Sequence, residues 1–215
     1  VHLVEEAESL GGQAMKLSNT LWGEDPRKYM EDLIEQVTKH PHIKVHTDAR
    51  VSLSTGRAGR FLSLISTDEG GLPVQHGVSI LATGGREAMI YDYGFRVHKC
   101  VMTQRSLEEQ LSSGALDTTR LSSVVMIQCW RSRSEKDERS YCSRVCCSQS
   151  VKNILLLKKR RPDLPIYVFY RDIMTYAFRE EYYTKAREAG VLFLRYEQGA
   201  EPEGSAGNKI TVKVT

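Results

Sequence analysis

The chain has 215 residues, of which 40% are hydrophobic and 27% charged, the proportions of a globular protein long enough for one large domain or two small ones. A formal charge of +3 is too small to call for nucleic acid, no apolar run reaches the ~18 residues of a membrane span, and no secretory signal opens the sequence. The expectation is a cytoplasmic chain with no nucleic-acid partner and no membrane span.

Val1–Glu5 reads as a strand ending on an acidic residue, followed by a loop through Leu10, Gly11 and Gly12. Pro26–Lys39 carries Tyr29, Met30, Leu33, Ile34 and Val37 near helical spacing, with Asp25 as N-cap and Pro26 at the first helical position. Short strands at 43–46, 49–53 and 61–66, punctuated by glycines, predict a small antiparallel meander. "GVSILATGG", Gly77–Gly85, predicts a buried strand. Ser106–Leu111 predicts a short helix capped by Ser106, with Glu109 three residues on. The polar stretch 114–123 marks a boundary between domains 1–114 and 115–215.

Beyond that boundary, "VVMIQ" at Val124–Gln128 is a continuous apolar run of the kind found in buried parallel strands, and it leads straight into Cys129. Ser148–Arg161 predicts a helix ended by Pro162, Ile166–Tyr170 a strand, Arg179–Ala189 a helix with Gly190 past its end, and Val191 the start of a third strand. This order is a Rossmann-like βαβαβ half. Such a half normally holds a pyrophosphate on a glycine-rich turn after its first strand, yet no glycine lies between Gly114 and Gly190. In that place stand Cys129, Cys142, Cys146 and Cys147, spaced C-x12-C-x3-C-C.

Thiols grouped in a cytosolic chain point to metal or redox chemistry rather than structural disulfides. Structural zinc prefers C-x2-C pairs, whose two sulfurs meet one tetrahedral ion, and adjacent cysteines fit that poorly. Neighbouring side chains point apart and reach different corners of an iron–sulfur cube more easily. A zinc staple, a redox dithiol and disulfides stay open beside the cluster. Arg131, Arg133 and Arg144 would offset the cluster's negative charge, or simply solvate a surface loop. Cys100, outside the pattern, is expected to be a partly buried structural thiol. The six histidines show no paired metal-ligand spacing.

The stretches "LVEEAESLGG", "ILATGG", "MIQC", "YCSRVCC" and "YRDIMTYAFREEYYTKAREAGVLFLRY" resemble the flavin and iron–sulfur subunit of heterodisulfide reductase, the HdrA family, and its relatives in anaerobic electron-transfer complexes. The resemblance implies an α/β, Rossmann-like, thioredoxin-reductase-like two-lobed fold, with 1–114 a partial FAD-binding domain and 115–215 a nicotinamide-type domain. It implies that Glu5 takes the adenosine ribose, that Gly11 and Gly12 lie near the flavin, and that Val51, Ala82, Thr83 and Gly84 line the adenine and pyrophosphate. Cys129, Cys142, Cys146 and Cys147 become ligands of a 4Fe–4S cluster, and electrons pass between FAD, the cluster and partners. Those partners would be the other subunits of the complex and ferredoxin or hydrogenase-type carriers. The family's glycine-rich turn, expected just before Val1, is absent, so the resemblance implies a fragment. Trp130 and Arg131 also stand where the family has a small pair. The alternatives are a pyridine-nucleotide-disulfide oxidoreductase using Cys146 and Cys147 as a dithiol, and a zinc-stapled interaction domain.

Overall fold

The computed structural model describes residues 1–133, 141–206 and 210–213. Residues 134–140 of the cysteine loop lie outside them. The chain divides into two compact units, Val1–Asn19 with Glu24–Glu87 and Thr20–Gly23 with Ala88–Thr215.

In the first unit, β1 (His2–Val4) pairs in parallel with β2 (Lys44–His46), and α1 (Pro26–Lys39) connects them. α1 starts where the sequence predicts. Asp25 sits in the β region and its carboxylate accepts the Arg27 backbone N–H at 2.9 Å, while Pro26 brings no N–H that needs a partner. β3 (Arg50–Arg57), β4 (Arg60–Thr67) and β5 (Gly70–His76) form the predicted meander, antiparallel in the order β3-β4-β5. Side chains alternate across it: Ser63 and Ile65 are buried, whereas Leu53 and Leu62 are exposed on the other face.

The strand expected at Gly77–Gly85 is not formed. The segment has no regular structure, and Val78, Ile80 and Leu81 are exposed, Ile80 to 87%. An apolar, β-branched run becomes a buried strand only when neighbours supply a hydrogen-bond ladder and cover for its faces. Among the described residues β1 and β2 pair only with each other, and no strand lies beside this run.

The second unit carries the main core. α2 (Gln104–Ser113) leads to β6 (Val124–Ile127), α3 (Cys146–Arg160), β7 (Ile166–Tyr170), α4 (Glu180–Glu188) and β8 (Leu192–Arg195). β6, β7 and β8 form a parallel sheet in that order, the predicted βαβαβ unit. A hairpin of β9 (Glu203–Ala206) and β10 (Ile210–Lys213), which the sequence reading does not anticipate, follows. Leu111, Ile154, Leu157, Leu164, Ile166, Val168 and Ala186 are almost wholly buried in one cluster between sheet and helices. Burial of each of the larger ones is worth about 1.5–3 kcal/mol.

Three boundaries differ from the sequence reading. α2 is capped by Thr103, whose hydroxyl accepts the Ser106 N–H at 3.1 Å, so Ser106 lies inside the helix. α2 packs on α3 through Leu107, Leu111 and a buried ion pair between Glu108 and Lys152, 2.7 Å apart. The second unit therefore begins at Ala88 rather than after Gly114. α3 starts at Cys146, two residues earlier than predicted, and so takes both adjacent cysteines into its first turn.

Candidate functional site

Cys129, Cys146 and Cys147 stand at the carboxyl end of the parallel sheet, where open α/β sheets bind their ligands. Cys129 follows β6 directly, Cys146 and Cys147 open α3, and Asp172 follows β7. The Asp172 carbonyl accepts from the thiols of both Cys129, at 3.7 Å, and Cys147, at 3.8 Å. Two cysteines from separate segments thus converge on one backbone atom. Cys142 accepts the Arg144 backbone N–H at 3.3 Å.

Cys146 and Cys147 perturb each other in opposite directions. The neighbouring Cys147 side chain first, then the Ser143 side chain and the Cys129 backbone, hold Cys146 down to about 6 despite its burial. The same contact, with burial and the nearby Cys146 charge, pushes Cys147 up. The first turn of α3 assists: Val145 provides no side-chain cap, which leaves the positive end of the helix facing the thiols.

The backbone around the thiols is unusual. Cys129, Arg131, Arg133 and Arg144 all have positive φ, at 61°, 48°, 59° and 58°. For residues with a Cβ this left-handed region costs about 1–2 kcal/mol each, and such strain concentrates at functional sites. Left-handed residues in alternation turn successive N–H groups toward one side, the concavity that anionic groups, iron–sulfur centres included, occupy. The strain and the thiolate-forming donor set both fit an iron–sulfur cluster.

The arginines are engaged more closely than a solvating role requires. Arg133 pairs with the Asp172 carboxylate and is raised by that bond first, with smaller contributions from Cys129 and Cys142. Arg131 lies over the Trp130 ring at 5.3 Å, and Trp130 Nε1 donates to Asp92 at 2.7 Å. Trp130 is thus turned onto Asp92 and held there. Arg171 donates to the Ser132 carbonyl at 3.1 Å, and the Tyr196 hydroxyl to that of Gln128 at 2.6 Å. Asp92, Asp172 and Tyr196 are missed by sequence reasoning because they join the loop through tertiary contacts. Among the described residues, no group of three or more His, Cys, Asp or Glu is arranged to hold a metal ion. A four-iron cube seats each thiolate on its own iron, a wider arrangement than one ion requires.

The segments that carry the candidate flavin residues are linked through their neighbours. Glu5 accepts the Ala7 N–H at 2.8 Å, and its backbone continues the pairing with β2 through His46. Glu6, its neighbour, pairs with Arg50 at 2.5 Å and with Arg86 at 3.2 Å, tying the residue before Val51 to the segment after Gly84. Gln13, beside Gly12, donates to the Gly85 carbonyl at 3.3 Å. Glu6, Gln13, Arg50 and Arg86 therefore draw the predicted parts together, although the sequence reading names none of them. Gly12 and Gly84 have positive φ and no atom near the place a Cβ would take, so their backbone is open to a ligand, whereas a side chain at Gly11 would run into Met15. Val51 is half exposed, and Ala82 and Thr83 lie exposed on the segment that forms no strand. Cys100 is exposed, not the partly buried thiol expected.

In class, the chain is an α/β protein with a Rossmann-like parallel unit. Its fold is shared with the bacillithiol disulfide reductase of Bacillus cereus, at a TM-score of 0.50 and 12% identity over 99% of this chain and 67% of that one. No protein-family model matches the chain. In sequence it is similar to the HdrA proteins of methanogens. It is 35% identical over 129 residues to the HdrA protein of a ferredoxin/F420H2-dependent CoB–CoM heterodisulfide reductase of Methanosarcina acetivorans, a match covering 55% of this chain and 16% of that protein. It is 33% identical over 134 residues to the HdrA iron–sulfur subunit of the CoB–CoM heterodisulfide reductase of Methanocaldococcus jannaschii, covering 57% and 20%. The chain thus spans a fifth or less of the length of these two relatives.

Proposed function

We propose that the chain is the electron-transfer part of an oxidoreductase akin to the HdrA component of heterodisulfide reductase. In this reading the first unit contributes to an FAD site through Glu5, Gly11, Gly12, Val51 and Ala82–Gly84. The second holds a 4Fe–4S cluster on Cys129, Cys142, Cys146 and Cys147. The observation that carries the reading is the convergence of Cys129 and Cys147 on the Asp172 carbonyl, with Cys146 against Cys147 beside them. The chemistry the cluster supplies is one-electron transfer; the protein's part is to hold four thiolates, offset their charge and shield them. Arg133 supplies positive charge next to the sulfurs, and the left-handed loop supplies N–H groups. Other subunits of the complex and ferredoxin or hydrogenase-type carriers would exchange electrons with it in the cytoplasm. Among the described residues no helix is long and apolar enough to cross a membrane.

The test is anaerobic purification with iron and sulfide supplied. About four irons and four sulfides per chain, lost on Cys146→Ser, are the expected result. A colourless chain holding one zinc would overturn the reading. One observation favours a second reading. The depressed Cys146 thiol suits thiol exchange, which predicts a metal-free chain whose Cys146 thiolate attacks a disulfide once, keeping one sulfur as a mixed disulfide and expelling the other as one equivalent of thiol.

A further inference from the structure

Three buried side-chain polar atoms have no hydrogen-bond partner among the described residues, and two of them border the cysteines: Gln128 Nε2, just before Cys129, and Ser148 Oγ, just after Cys147. Buried amide hydrogens without a partner cost about 1–3 kcal/mol, so each calls for an acceptor the protein atoms do not provide. Gln128 is 3% exposed, and its backbone is fully engaged, N–H to the Phe169 carbonyl and C=O to the Tyr196 hydroxyl. Only its side chain remains to be matched.

The direction of that side chain follows from the strand. Gln128 continues the β6 ladder, so it shares a face with Met126, two residues earlier. Met126 faces α3, because the Ser150 hydroxyl donates to its sulfur at 3.1 Å. In a βαβ unit the helix runs back against its strands, so one turn before Ser150, toward Cys146 and Cys147, matches two residues beyond Met126, at Gln128. The two steps are about 5.4 Å along the helix and about 6.6 Å along the strand. The unmatched amide therefore faces the first turn of α3, between Cys129 on its own strand and buried Cys147 opposite.

We propose that Gln128 is a hydrogen-bond donor to the sulfur of this site: its Nε2–H bonds a thiolate or sulfide sulfur of the bound iron–sulfur cluster and raises the cluster's reduction potential. The proposal rests on the cluster reading given above. A donor to sulfur stabilises the reduced, more negative form more than the oxidised one, so its removal lowers the potential. Gln128→Met keeps the length and apolar stem of the side chain and removes its amide, so that no N–H donor remains.

The experiment is an anaerobic redox titration of the full chain, reconstituted with iron and sulfide, as wild type and as Q128M. It is paired with pulsed electron paramagnetic resonance on reduced wild type carrying 15N in its glutamine side chains. The expected results are intact cluster content in both, a 15N coupling in wild type that Q128M lacks, and a roughly tenfold shift toward the oxidised form in Q128M at the wild-type midpoint, equivalent to about 59 mV for one electron. An unchanged midpoint with an intact cluster overturns the proposal and leaves the cluster reading standing. Absence of the 15N coupling in wild type overturns it equally, and decides the matter alone should Q128M fail to fold. A wild type that takes up no iron and sulfide overturns both.

Discussion

The two units bury their apolar residues very differently. In the second, sheet and helices close over a continuous cluster from Leu107 to Val191, and even its polar interior is organised around Glu108, Gln149, Lys152 and Asn153. In the first, Ala49 and Ile65 are the buried apolar residues among those described, while Leu53, Leu62, Val78, Ile80 and Leu81 stay exposed. The second unit thus carries the larger share of the buried apolar contacts, and Cys129, Cys146 and Cys147 stand at the end of its sheet. The first holds its candidate flavin residues together by exposed ion pairs such as Glu6 with Arg50 and Arg86, which are worth little by themselves.

The contrast can be broken most forcefully at Glu108. It is 2% exposed and accepts from Lys152 at 2.7 Å and Gln149 at 2.9 Å, so Glu108→Ala leaves a buried cation behind. The expected loss is about 3–5 kcal/mol in urea unfolding, largely recovered in the Glu108→Leu, Lys152→Met double variant. A smaller loss in the single variant would show that the helix pair can open to water. Next comes Leu157→Ala, expected to cost about 2–5 kcal/mol at a fully buried position, against at most about 0.5 kcal/mol for Leu62→Ala on the exposed face of the meander. Equal effects would erase the contrast between the units.

At the site itself, pH tests the thiol pair in cluster-free chain. Cys146 is a thiolate above about 6 and a thiol below it, so its alkylation rate is level above pH 7 and falls about a hundredfold by pH 4. Cys147→Ala removes the stabilising thiol and moves that midpoint upward; an unmoved midpoint would assign the depression to the helix end alone. Between the Leu157→Ala and Leu62→Ala effects falls Thr103→Ala, which removes the α2 cap and is expected to cost about 1 kcal/mol.

Where local chemistry decides, the sequence is a good guide. Asp25 and Pro26 start α1 at the predicted residue, and the alternation of apolar strands with amphipathic helices after Val124 yields the parallel sheet. It misleads where the answer depends on distant partners. Gly77–Gly85 has the residues of a buried strand but no neighbour among the described strands. Thr103 and Ser106 offer competing caps three residues apart, and the hydroxyl that reaches an N–H wins. α3 begins two residues early because Val145 is helical without any capping side chain, which leaves no signal to read. The cysteine spacing alone suggests where to look, but the atom on which two thiols converge is a backbone carbonyl, which no side-chain pattern encodes.

That carbonyl also orders events in time. Asp172 lies 43 residues from Cys129 and 25 from Cys147, and the three reach one place only once β7 has docked beside β6 with α3 packed across them. In an unfolded or half-synthesised chain the sulfurs are scattered, and closing loops of that length is a long-range step. The meeting of these two thiols is therefore a late event in folding, and protection of Cys129 and Cys147 in a nascent chain would report that its parallel sheet is already built.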